Sequence, residues 1–201
     1  MGGRLVRKTG TKTNILMRIH VFPVKTILAG IILFLVAAPN SLAQDRDDED
    51  LRVSPNAVVS QTIGTTEVTV TYGRPAVRGR DIFGGLVPFD QIWRTGADEA
   101  TTITFSDDVR VEGEPLEAGT YSLFTIPQEE GDWTVIFNHV ADQWGAYNYD
   151  PAEDALRIRV TPEETYHMEQ LMFYFENIEE SMGQLVLQWE DVKIDFRIQE
   201  S

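Results

Sequence analysis

The 201-residue chain carries 32 acidic against 17 basic residues, a formal charge of −15, and has no cysteine. That balance repels nucleic acid and anionic lipid, which makes either a poor partner. Without cysteine there is no disulfide, no thiol nucleophile and no thiolate metal ligand.

In chain order, residues 1–25 hold six of the basic residues and no acid, and "TILAGIILFLVAA" (26–38) comes next as an apolar run of 13 residues. The run is short of the roughly 20 residues that span a bilayer as a helix. "PNSLA" then places Ser41 and Ala43 on either side of Leu42. A basic region, a short apolar core and a small-x-small site predict a secretory signal peptide over 1–43, cleaved after Ala43 to leave Gln44. Met17 is an alternative start. No cysteine follows the apolar core, so a lipid-anchored form is excluded. The expectation is an exported protein, periplasmic or secreted, with no stable membrane span after cleavage. Its mature part keeps eleven basic residues, ten of them arginine, against all 32 acids, a formal charge of −21. Such acidity fits either a solvated surface or adaptation to saline water, where screening relieves self-repulsion.

"QDRDDEDLR" (44–52) is a charge run without periodicity and predicts a disordered acidic linker over 44–53. A single domain occupies 54–200. "NAVVSQTIG" and "EVTVTYG" alternate around "GTT", a hairpin with Val68, Val70 and Tyr72 on one face. "ATTITFS" sets Ile103 and Phe105 opposite Thr102 and Thr104. "VRVEGEPL" is a short strand entering a turn. "GTYSLFTIP" and "WTVIFN" read as central strands buried on both faces. "ALRIRV", "LMFYF", "LVLQW" and "VKIDFRI" complete nine or ten short strands, separated by "TPEETYHMEQ", "ENIEESMG" and "ED". The fold class is all-β: an antiparallel β-sandwich or jelly-roll-like fold, because each half-apolar sheet needs a second sheet to cover it.

Two long segments, 73–100 and 138–150, resist this scheme. The first holds five glycines and two prolines. Both carry too many aromatic and apolar residues for disorder (Phe83, Phe89, Trp93, Trp144), so ordered, packed loops are expected.

The blocks "GRDIFGGLVPFDQIWRTGADEATTITF", "LEAGTYSLFTIP", "WTVIFN", "QWGAYNYD", "LRIRV" and "LVLQW" closely resemble a family of exported bacterial proteins known as domain of unknown function 2911. The resemblance runs from about Ser54 to Ile198. It implies a secreted, β-rich single domain and brings no activity with it. The family pattern reads Asn where this chain has Asp98, which weakens any role for Asp98 as an essential acid.

Three constellations are candidates for function. "GRPAVRGR" and "IWRTGADEATT" gather Arg74, Arg78, Arg80 and Arg94, four of the eleven mature basic residues, beside Trp93. Arginine offers a rigid donor fork for carboxylate or phosphate and stacks on aromatic rings. These residues can line a pocket for an anionic or sugar-like ligand, or each can pair with an acid and staple its loop. Asp98 and Glu99 sit in a turn entering a strand, with Glu99 a natural partner for Arg94. "NHVADQWGAYNYD" offers Asn138, Trp144 and Tyr147 as a polar and aromatic surface. If the protein is an enzyme, Asp98, Glu99 and His139 are its acid–base candidates. His139 and His167 lie in separate loops with no ligand spacing, and nucleotide and serine-hydrolase signatures are absent, so no metal or cofactor is expected. Three readings stay open. One is a binding protein for a small anionic or sugar-like ligand or a cell-envelope partner. The others are an exported hydrolase acting on a glycan or ester, and a structural envelope module.

Overall fold

Val68, Val70 and Tyr72 alternate with threonines in the sequence, and the alternation becomes burial. In the computed structural model, which describes residues 52–201, the three apolar side chains face the core while Glu67, Thr69 and Thr71 are partly or fully exposed. The expected signal peptide, and residues 44–51 of the expected linker, lie outside the described residues. Ten strands run in order: β1 (Asn56–Ile63), β2 (Thr66–Gly73), β3 (Thr101–Phe105), β4 (Val109–Val111), β5 (Glu114–Leu116), β6 (Gly119–Ile126), β7 (Trp133–Asn138), β8 (Asp154–Val160), β9 (Glu163–Glu176) and β10 (Met182–Glu200). One 3-10 turn, Pro151–Glu153, precedes β8.

The strands form two antiparallel sheets, ordered β1-β2-β3-β6-β7-β8 and β5-β4-β10-β9, that do not close into a barrel. The expected all-β sandwich is the observed architecture. β1 and β2 are joined by Gly64 and Thr65, with Gly64 at φ 61° and Ile63 paired to Thr66. A positive φ at the first turn residue alone is the type II′ geometry, whose twist matches that of the strands. Ile103, Phe105, Leu123, Val135 and Phe137 from the first sheet meet Leu171, Leu185, Leu187, Phe196 and Ile198 from the second in one buried cluster. β6 and β7 are buried on their outer face too. There Phe124 and Ile136 pack with Ala100 under Ile92, Ala146 and Tyr149 from the two long loops.

Two sequence expectations change. "LVLQW" and "VKIDFRI" are not separate strands: "ED" is an irregularity inside the 19-residue β10, with register shifts at Gln188/Glu190 and Glu190/Val192 and Glu190 left-handed at φ 54°. "TPEETYHMEQ" is not a connection either, since Glu163 onward forms the first half of the 14-residue β9. Both faces of that half are largely solvated, with Tyr166 and His167 exposed, so it has no apolar alternation to read.

One side chain ties the sheets together. The buried Tyr72 hydroxyl of β2 accepts the Phe173 N–H of β9 at 3.1 Å, and the two rings meet edge-on at 4.8 Å. Tyr72→Phe keeps the packing and leaves a buried N–H unpaired. It is expected to lower stability by about 1–3 kcal/mol in urea denaturation with an unchanged m value. A loss too small to resolve would mean that Phe173 N–H finds another acceptor.

Candidate functional site

The segment between β2 and β3 is fixed at four places. First, it covers the outer edge of β9. Val77 N–H donates to Glu169 O, Leu171 N–H donates to Pro75 O, and Ala76 bridges Gln170. A full ladder would also send the N–H of residue 75 to Leu171 O, but proline has none. Arg74 Nε donates to that carbonyl instead, at 2.9 Å. Second, residues 81–87 fold on themselves, with Leu86 N–H donating to Asp81 O and Val87 N–H to Ile82 O. Phe83 from this turn meets Trp133, Trp93 and Trp189 at 4.7, 5.9 and 6.2 Å. Third, Trp93 and Thr125 exchange both backbone hydrogen bonds, so Trp93 continues the place of β3 beside β6. Fourth, the two ends of the segment cross so closely that a Cβ at Gly73 would lie 2.2 Å from Ala97 O. Glycine is required there on space alone.

Strain concentrates in the same stretch. Arg78, Asp90, Thr95 and Asp98 all have left-handed backbones, with φ between 52° and 63°. Asp is among the residues that tolerate this region best, whereas a β-branched residue such as Thr95 is a true outlier. Thr95 is held by hydrogen bonds from Thr101 Oγ1 to its carbonyl and between its own hydroxyl and that of Thr125, each 2.9 Å. Asn shares the tolerance of Asp, so the family pattern at position 98 fits a turn residue.

These constraints frame a cleft of about 370 Å³. Its buried wall is made by Trp93, Trp189 and Val87, and its more open parts by Arg78, Arg80 and Leu86. Arg94 and Asp98, both half-buried, complete the polar lining, with Val53 at the exposed end. The indoles of Trp93 and Trp189 stack at 5.9 Å and 19°. Arg80 donates to Val77 O and Ala76 O, and Arg78 to Val53 O at 3.3 Å. Arg94 Nε is buried without a hydrogen-bond partner, and so is Trp189 Nε1. None of the ion pairs among the described residues involves Arg74, Arg78, Arg80 or Arg94. Glu99 pairs with Arg52 at 2.6 Å rather than with Arg94. Arg52 and Val53, assigned by sequence to the linker, thus pack onto the arginine segment. Below the cleft, Glu169 accepts Arg78 N–H at 2.9 Å, and that bond is the main reason its carboxyl sits below the usual range, with His167 beside it.

A family model described as a protein of unknown function (DUF2911) matches residues 54–198. This chain belongs to the DUF2911 family. Every cleft-lining residue except Val53 falls within the match. No curated protein and no solved structure matches the chain.

The second loop of this DUF2911 domain braces the cleft from behind without lining it. Asn138 is fully buried: its Nδ2 donates to Asp150 O and Asp154 Oδ1, and its Oδ1 accepts from Val140 N–H and Gln143 Nε2. Gly145 N–H donates to Asp98 O, and Ala100 N–H to Gln143 O. Trp144 and Tyr147 are exposed and, like Arg74, are not among the cleft residues. His139 packs on Tyr121 at 5.5 Å, and Glu99 is buried in its pair, so of the three acid–base candidates only Asp98 reaches the cleft. Nothing in the sequence singles out Val53, Leu86, Val87 or Trp189 for this site. Trp189 reads as ordinary core, and its partnerless indole N–H is a tertiary fact.

Tyr149 locks the second loop, donating to Asp154 Oδ2 at 2.8 Å and accepting from Arg157 at 2.7 Å. Burial first, and then the Asp154 bond, push its phenol up from 10.0 to about 12. A raised folded-state pKa gives stability that is fully present below pH 10 and lost as pH rises through about 12. The stability difference between wild type and Tyr149→Phe should therefore shrink between those pH values in urea titrations. A flat difference would show that the phenol is not held in this way.

Proposed function

We propose that this protein is exported and binds a small anionic ligand in the cleft lined by Arg78, Arg80, Arg94, Trp93 and Trp189. The observation that carries the reading is the set of three guanidinium groups, Arg78, Arg80 and Arg94, that line one cleft and enter no ion pair among the described residues. Arg94 Nε and Trp189 Nε1 are buried without a partner in residues of the same lining, and a buried unpaired donor costs about 1–3 kcal/mol. The charge pattern points the same way. In a chain with 32 acids, Asp98 is the single carboxylate among the described residues that line the cleft with these three guanidinium groups. A positive cleft in an acidic surface concentrates anions locally. The N-terminal basic region, apolar core and small-x-small site support export.

A two-carboxylate hydrolytic site needs acids about 5–9.5 Å apart across the substrate. Among the described residues Asp98 is the only carboxylate lining this cleft, and Glu99 pairs with Arg52, which favours binding over that chemistry.

Calorimetry at low ionic strength with inorganic phosphate, sulfate and acetate tests the reading. Binding is expected to weaken in 0.5 M NaCl. Arg94→Ala and Arg78→Ala should each weaken it about 10- to 100-fold, the usual range for a lost hydrogen bond to a charged group. Arg74→Ala should weaken it less than either, because that guanidinium serves Leu171 O and is not among the cleft residues. Absence of binding by every anion overturns the reading. N-terminal sequencing of the protein recovered outside the cytoplasm should begin at Gln44. Retention of the first 43 residues on a cytoplasmic product would refute export.

A further inference from the structure

The cleft is larger and greasier than a bare anion needs. At about 370 Å³ it has room for roughly twelve groups the size of a water molecule, each about 30 Å³. Phosphate or acetate would occupy a small part of that volume. Apart from the three arginines, Asp98 and Ser54, its lining is apolar or backbone: Trp93, Trp189, Val87, Leu86, Pro75 and Val53 dominate. Leu86 and Val53 are 47% and 72% exposed, apolar side chains left in water beside arginines. Filling the cleft with a simple ion would leave this surface wet.

The walls are also preformed. Leu86 and Val87 are held by Asp81 O and Ile82 O, Trp93 by Thr125, and Arg80 by Val77 O and Ala76 O. A ligand meeting fixed walls loses little of its binding energy to ordering them. Arginine heads beside exposed apolar side chains suit a molecule that is charged at one point and apolar elsewhere.

We infer that the ligand is amphipathic: an oxyanion head, carboxylate or phosphate, carried on an apolar body that fills the space between Leu86, Val87 and the two tryptophans. The inference rests on the anion-binding reading above and adds the class of molecule. The head supplies acceptors to the arginines. The body covers Leu86 and Val53, the exposed apolar side chains of the lining.

The test is a chain-length series read by tryptophan fluorescence and calorimetry, with straight-chain carboxylates from acetate to octanoate and the matching alkyl phosphates. Each added methylene should tighten binding about fourfold, the value of one buried CH₂, until the cleft is full and the gain stops. Comparing carboxylates with phosphates of equal length assigns the head. Alcohols of the same lengths, which lack the charge, should bind at least tenfold more weakly. Leu86→Ser changes an exposed residue, so the fold is retained. It should flatten the gain along the series, so that the ratio of octanoate to acetate affinity falls towards one. Arginine-dependent binding of phosphate or acetate with no gain along the series overturns the amphipathic ligand and leaves the anion site standing. Binding of no anion of any length overturns both. Alcohols binding as tightly as the acids would also overturn both.

Discussion

The outer edge of β9 is the constraint on which the site depends. A strand edge facing solvent presents unpaired N–H and C=O groups and is a template for unwanted pairing. Here Glu169 O, Leu171 N–H, Leu171 O and Phe173 N–H are all met by residues 72–77. The cover contains a proline, so one ladder donor is missing, and Arg74 supplies it from its side chain. Four bonds along six residues fix the start of the segment. Beyond Val77 the chain departs from a rigid origin, beginning with the left-handed turn at Arg78. The Trp93–Thr125 pairing fixes the other end in the same way. Between these anchors lie Arg78 and Arg80, neither of them in an ion pair among the described residues.

Charge and strain are arranged together. Arg52 and Glu99 pair under cover, where each offsets the desolvation of the other. A few residues away, Arg94 has a buried Nε with nothing to meet it, on a backbone bent by left-handed Thr95 and Asp98. Such backbone outliers cost of order 1–3 kcal/mol each and persist where the surroundings over-determine them. The surroundings do so here: the hydroxyls of Thr125 and Thr101 and the carbonyl of Gln143 hold the turn. Backbone strain and two unpaired buried donors therefore lie close together in the segment and the strand that border the cleft.

The two long loops share the work unequally. Both lie over the outer face of β6 and β7, which explains why those strands are apolar on both sides. The first loop also shapes the cleft, whereas the second holds the first in place through Gln143, Gly145 and the Asn138–Asp154–Tyr149 network. Its most conspicuous aromatics, Trp144 and Tyr147, stay in solvent. An aromatic residue in a loop reads the same in sequence whether it caps a core, lines a site or faces water. Only its neighbours distinguish the three.

The unfolded chain already displays the all-β class, the inward faces of β2, β3, β6 and β7, and the concentration of arginine before Trp93. Alternation and composition are local properties, so they need no fold to be read. The full length of β9 and β10 was not legible, because the first half of β9 is largely solvated on both faces and the left-handed Glu190 interrupts β10 where the sequence reads a turn. Nor does the sequence separate Arg74, spent on a strand edge, from Arg78, Arg80 and Arg94 around the cleft. Those four side chains are chemically identical. Their roles were decided by a missing proline N–H, a crossing at Gly73 and a tryptophan from the opposite sheet, and each of these depends on residues far away in the chain.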